Sequence, residues 1–84
     1  MIIFDVIKTD STYRITINNV KILVGVTQDR VKDFVDFFGI DKAKEHLLYQ
    51  YTEFIFKNFM IKVSKEDAKI VATVFIERIF SDYI

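Results

Sequence analysis

The chain has no cysteine and no proline, two glycines, a single histidine and no excess of either charge. Without cysteine there is neither a disulfide framework nor a thiolate metal site to reinforce a small core. Two glycines and no proline leave little room for long irregular loops. Lys+Arg and Asp+Glu number 12 each, and the signs alternate along the chain without an acidic or basic tail. Affinity for phosphate backbones comes mainly from accumulated positive charge, which is missing here. No uncharged run approaches the ~20 residues of a membrane span. The opening MIIFDVIK is apolar but interrupted by Asp5 and Lys8, and it has neither a basic leader nor a small-residue cleavage site. The expectation is a cytoplasmic protein.

What is present is apolar bulk. Of the 84 residues, 51% are hydrophobic and 15% aromatic, with nine Phe, a composition that excludes disorder and supports a dense core. A chain of this length buries on the order of 60% of the surface that its unfolded form exposes, so a single domain over residues 1–84 is expected, held by packing alone.

Residues 1–26 read as a three-stranded antiparallel sheet. In YRITINNVKILV, Asn18-Asn19 supplies the positive φ values of a two-residue hairpin turn. That register sets Ile17 opposite Val20, Ile15 opposite Ile22 and Tyr13 opposite Val24, giving one wholly apolar face. A slip by one residue would bring Arg14 and Lys21 into it. With Asp10-Ser11 as the preceding turn, Phe4 and Val6 fall opposite Ile17 and Ile15 and join the same face. The other face receives Arg14, Thr16 and Lys21 together with Ile3, Ile7 and Leu23.

Residues 27–84 read as three helices. Thr27 is placed to cap the first, whose stripe is Val31, Phe34, Val35 and Phe38, with Gly39 where a left-handed C-terminal residue is favoured. Asp41 is placed to cap the second, which runs from about Lys42 into the region of Lys57 to Met60, with Leu47, Leu48, Tyr51, Phe54, Ile55 and Phe59 on its main stripe. The segment NFMIKV either extends that helix or forms an extended link. Ser64 followed by Asp67 is an Asp variant of the capping box, opening a third helix with Ala68, Val71, Ala72, Phe75, Ile76 and Ile79 on its buried side. The expected fold is α+β, two-layered, in βββααα order.

HLLYQYTEFIFKNFMI has more apolar bulk than one buried stripe uses. At roughly 100° per residue, Tyr49, Phe56 and Met60 form a second seam, separated from the main stripe by Glu45 and Thr52 on one side and Glu53 on the other. Phe37 stands beside Arg30 and Asp33 on the first helix, and Ile70 with Val74 lies off the main stripe of the third. Added to Ile3, Ile7 and Leu23, these make nine apolar residues that three helices and a small sheet do not obviously cover. A dimer or larger assembly would cover them.

Catalytic constellations are sparse. Ser11, Ser64 and Ser81 occupy turn, cap and terminal contexts, and no glycine-rich nucleophile turn is near any of them. His46, Gln50, Glu53 and Lys57 fall on one helical strip beside Glu45, a pattern that a solvated polar face explains. Gly25 and Gly39 are isolated, so no phosphate-cradling loop is spelled out. Acid pairs such as Asp33 with Asp36 and Glu66 with Asp67 read as helix-surface or first-turn residues. The expectation is a protein that is not an enzyme, with no cofactor and no metal.

The competing class is a nucleic-acid binder. RVKDFVDFFGIDKAKEHLLYQY has the outline of a helix-turn-helix, in which Lys42 and Lys44 would contact phosphates and His46 and Gln50 would face base edges. Bulky Val35, the placement of Glu45, and the acids Asp33, Asp36 and Asp41 oppose it. A membrane-surface role for the aromatic helices fits less well than a folded domain with matched strand faces. The abundance of Lys, Ile and Phe points to an AT-rich genome, and a short proline-free chain suits an accessory protein of a phage, plasmid or prokaryotic chromosome. The functional expectation is a non-catalytic protein-interaction domain, a homodimer that occludes or scaffolds an unidentified protein partner, with Phe37, Tyr49, Phe56 and Met60 as candidate anchors.

Overall fold

The structure, a computed structural model, describes residues 2–9, 12–25, 28–58 and 60–83. Three strands, β1 (Phe4–Thr9), β2 (Thr12–Ile17) and β3 (Val20–Gly25), form an antiparallel sheet in the order β1-β2-β3. Three helices follow, α1 (Gln28–Phe38), α2 (Ile40–Phe56) and α3 (Lys65–Tyr83). The fold is α+β in βββααα order. Its shortest dimension, 19 Å, accommodates one sheet layer and one helix layer.

The β2–β3 hairpin turns where Asn18 (φ 47°) and Asn19 (φ 72°) adopt positive φ, and its register pairs Ile17 with Val20, Ile15 with Ile22 and Tyr13 with Val24. β1 pairs Phe4 with Ile17 and Val6 with Ile15. The turn at Asp10-Ser11 lies outside the described residues, but Thr9 pairs with Thr12 as a two-residue connection requires. The inner face therefore carries the buried Val6, Tyr13, Ile15, Ile17, Ile22 and Val24. At ~1.5–3 kcal/mol for each fully buried large aliphatic chain, Ile15 and Ile17 alone make a register slip costly.

Hydrogen-bond alternation fixes what each edge of the sheet offers. Asn18 N donates to Ile3 O at 2.9 Å, which marks Ile3 and Asn18 as a bonded pair. Alternation along the antiparallel ladder then turns the backbone N–H and C=O of Phe4, Val6 and Lys8 away from β2. By the same rule the hairpin closes at Ile17 and Val20, and the outward groups of β3 are those of Lys21, Leu23 and Gly25.

The helices build the second layer. The expected cap at Thr27 lies outside the described residues. In α1, Val31 is buried and Phe34, Val35 and Phe38 pack against the core. A single residue, Gly39, joins α1 to α2 with φ 83° and ψ 162°, a region essentially restricted to glycine. It has positive φ as expected, but it serves as the N-cap of α2, and its C=O accepts from Ala43 N at 2.9 Å. Asp41 therefore sits in the first turn of α2 and is not its cap. Ser64 does cap α3, its Oγ accepting from Asp67 N at 3.1 Å. All six expected stripe residues of α3 are buried, and so is Phe80.

Two expectations for α2 change. Helical spacing puts Phe54 on the buried stripe, yet it is 46% exposed. It shares a flank with Ala43 and with Gln50, which accepts a hydrogen bond from Arg30 of α1. The 11 residues of α1 fall six short of the 17 of α2, roughly 9 Å at 1.5 Å per residue, so the last turn of α2 overhangs α1. Thr52 was read as part of a polar boundary, yet it is buried on the flank that meets α3. Phe59 lies outside the described residues. The segment after α2 is a link without helix from Asn58 to Ser64 among the described residues, and it buries Ile61.

Candidate functional site

Eight of the nine apolar residues singled out above are exposed in the structure: Ile3, Leu23, Phe37, Tyr49, Phe56, Met60, Ile70 and Val74. Ile7 is half-buried. Exposure ranges from 40% for Phe56 and Val74 to 81% for Phe37, so the intramolecular core does not absorb them. Ile40 and Phe54 are exposed as well, and sequence periodicity alone did not single them out.

The nine do not form one patch. Tyr49 and Phe56 are seven residues apart on one exposed side of α2, and Lys65 Nζ stands 5.9 Å from the Phe56 ring. Met60 follows in the link and, with Phe54, Lys57 and Asn58, lines an open recess at the end of α2. Ile70 and Val74 occupy a different flank. They lead at four-residue spacing to Arg78, which donates to Val6 O at 3.1 Å. Phe37 sits at the end of α1, edge-on to Phe38 at 4.7 Å. Ile3, Ile7 and Leu23 share the outer face of the sheet, where Ile7, Arg14 and Leu23 stand in one row across the three strands. Arg14 Nε is buried there with no partner among the described residues.

A cleft of about 480 Å³ runs between α2 and α3, lined by Glu45, Leu48, Tyr49, Thr52, Glu53, Lys65 and Lys69. Thr52 Oγ1 has no hydrogen-bond partner among the described residues. Glu53 bridges two cations, with Lys65 Nζ at 2.8 Å and Lys57 Nζ at 3.3 Å. The hydrogen bonds from Lys65 and Lys57 hold the Glu53 carboxyl below the usual carboxylate range. Within the strip His46, Gln50, Glu53 and Lys57, the last two therefore pair with each other, while Gln50 accepts from Arg30 and the His46 ring meets Phe38 at 4.2 Å.

The residues of the nucleic-acid reading divide. Lys42 is exposed, and His46 and Gln50 follow on its side of α2. Lys44 is on another side, its Nζ 5.4 Å from the ring of Phe80 on α3. The two lysines thus do not share a surface with which to straddle a phosphate backbone.

Among the described residues, no group of three or more His, Cys, Asp or Glu side chains could hold a metal ion, and no helix is long and apolar enough to cross a membrane. Compared with known proteins, the chain matches no family model, no curated protein and no solved structure.

Proposed function

We propose that this chain is a non-catalytic protein-interaction domain that self-associates as a homodimer and acts by occluding or scaffolding a protein partner. The observation that supports this reading is the exposure of eight of the nine apolar side chains singled out from the sequence, four of them aromatic or Met: Phe37, Tyr49, Phe56 and Met60. Single exposed apolar residues are ordinary on soluble proteins, whereas recurrent ones framed by charge mark interaction surfaces. Tyr49 and Phe56 are framed by Glu45, Glu53 and Lys65, an apolar centre with a charged rim.

The scattering of the nine residues over separate surfaces supports more than one interface. In this reading the solvent side of α2, with Tyr49, Phe56 and Met60, receives the outside partner. Self-association then uses another surface.

Light scattering across a dilution series tests the oligomeric part, and a dimer mass is expected at high concentration. For the partner surface, Phe56→Glu is expected to leave folding intact, because the ring is already 40% exposed, and to abolish capture of the partner that the parent chain retains. A parent that retains no protein at all would count against the reading.

A further inference from the structure

The two edges of the sheet are not equivalent. On β1, α3 runs close by, Arg78 donates to the outward Val6 O at 3.1 Å, and Lys8 pairs with Asp82 of α3 at 3.7 Å. On β3, the outward N–H and C=O groups of Lys21, Leu23 and Gly25 meet nothing among the described residues. All three residues are exposed, Leu23 at 71%. Proteins usually blunt such an edge with lysine or proline, a bulge, an inward-pointing charge or a covering segment, and of these β3 carries only Lys21 among the described residues. β3 has no proline, keeps an unbroken register with β2 and presents Ile22 and Val24 to the core.

We propose that β3 is a self-pairing edge: two copies of this chain add their β3 strands antiparallel about a two-fold axis between the two Leu23 residues, making one continuous six-stranded sheet. This rests on the self-association proposed above and gives it a surface. Symmetry and charge select the register. A two-fold pairing must be antiparallel and self-complementary, and its bonded pairs must join outward residues to outward residues. Centring on Leu23 engages all three, with Lys21 opposite Gly25 of the second copy, and each such pair exchanges two N–H···O bonds. Centring on Lys21 would set two like charges face to face, which is unfavourable.

The chosen register also matches side chains on both faces. Leu23 meets Leu23 on the outer face, flanked in each copy by Arg14, and Ile22 meets Val24 on the inner face. Gly25 gains a reason as well. Among the described residues a Cβ at this position would touch nothing and φ is ordinary, so neither space nor conformation there calls for glycine. Opposite Lys21 of the second copy, the missing side chain gives the lysine room. A six-residue edge buries less than the ~800 Å² per partner of a standard stable interface, so the dimer should be concentration-dependent.

Single cysteines in this cysteine-free chain test the pairing. Bonded antiparallel partners have Cα atoms about 5.5 Å apart, within disulfide reach. Under mild oxidation Leu23→Cys is expected to form a covalent dimer. Lys21→Cys and Gly25→Cys should each remain unlinked alone and link when mixed, and Phe56→Cys should remain unlinked. Leu23→Lys is expected to shift the light-scattering mass to monomer with an unchanged circular dichroism spectrum. A parent dimer in which Phe56→Cys links and Leu23→Cys does not would overturn the β3 pairing and leave self-association standing. Self-linking of Lys21→Cys would overturn the register and with it the proposal. A parent chain that is monomeric at every concentration would overturn both the pairing and the homodimer on which it rests.

Discussion

The phenol of Tyr13, in the central strand, donates a hydrogen bond to the carboxylate of Asp82, 69 residues later near the end of α3. The bond ties the middle of the sheet to the last helix. Burial first, and the Asp82 bond second, push the Tyr13 phenol well above its ordinary value. That bond, with help from Lys8 and Arg78, holds the Asp82 carboxyl below the usual range.

Stability should therefore fall at alkaline pH. An unfolded tyrosine titrates near pH ~10, whereas folded Tyr13 keeps its proton to higher pH. Above the unfolded value the folded state holds a proton that the unfolded state has lost, so unfolding becomes easier as pH rises. The contribution is intact below pH ~10 and disappears toward the folded value. Asp82 acts in the opposite window, its contribution present above the ordinary carboxylate range and lost as pH falls through its lowered folded value. Tyr13→Phe is expected to lower stability by about 1 kcal/mol at neutral pH and to flatten the alkaline limb. Urea denaturation at several pH values measures both effects, and an unchanged alkaline limb would contradict the assignment.

Phe75 should be the most costly side chain to truncate. It is fully buried and meets two tyrosine rings edge-on, Tyr13 at 5.4 Å and Tyr51 at 4.8 Å. Phe75→Ala is expected to cost ~3–5 kcal/mol, a large share of the 5–15 kcal/mol typical of whole domains. Val74→Ala, on the exposed flank of the same helix, should change the denaturation midpoint little.

Gly39 and Ser64 hold the helix starts by different means. Gly39→Ala forces a Cβ into a glycine-only conformation and should destabilise by ~1–3 kcal/mol. Ser64→Ala removes the hydroxyl cap of α3 and should cost ~1 kcal/mol. Thermal melts of the two variants should rank them in that order.

Thr52→Val replaces a buried hydroxyl that has no hydrogen-bond partner among the described residues with a methyl of similar shape. Removing an unsatisfied polar group is expected to stabilise, by up to ~1 kcal/mol. A clear loss of stability would show that the Thr52 hydroxyl is satisfied after all.

Much of this architecture was legible in the chain. Period-two alternation is unforgiving, so the pairs Ile15–Ile22 and Val6–Ile15 followed from the requirement that Arg14 and Lys21 stay out of the core. Asn18-Asn19 and Ser64 are local signals, readable without knowledge of the rest. Phe54 and Thr52 were not readable that way. Their burial depends on how far α1 extends along α2 and on which flank α3 occupies, properties of helix length and tertiary arrangement that no single-helix projection contains. The exposure of Tyr49 and Phe56 was visible as surplus on the wheel of α2. The open edge of β3 was not, because side-chain patterning says nothing about which backbone groups find partners.

The hydrogen bond from Arg78 to Val6 also bears on the valence of the sheet. A small sheet with two vacant borders can recruit neighbours on each, and repeated recruitment is how fibres grow. Here Arg78 of α3 already takes the outward C=O of Val6, so the β1 border has less to offer an incoming strand than the β3 border. Strand addition at β3 is then expected to favour pairs of chains over growth along both borders.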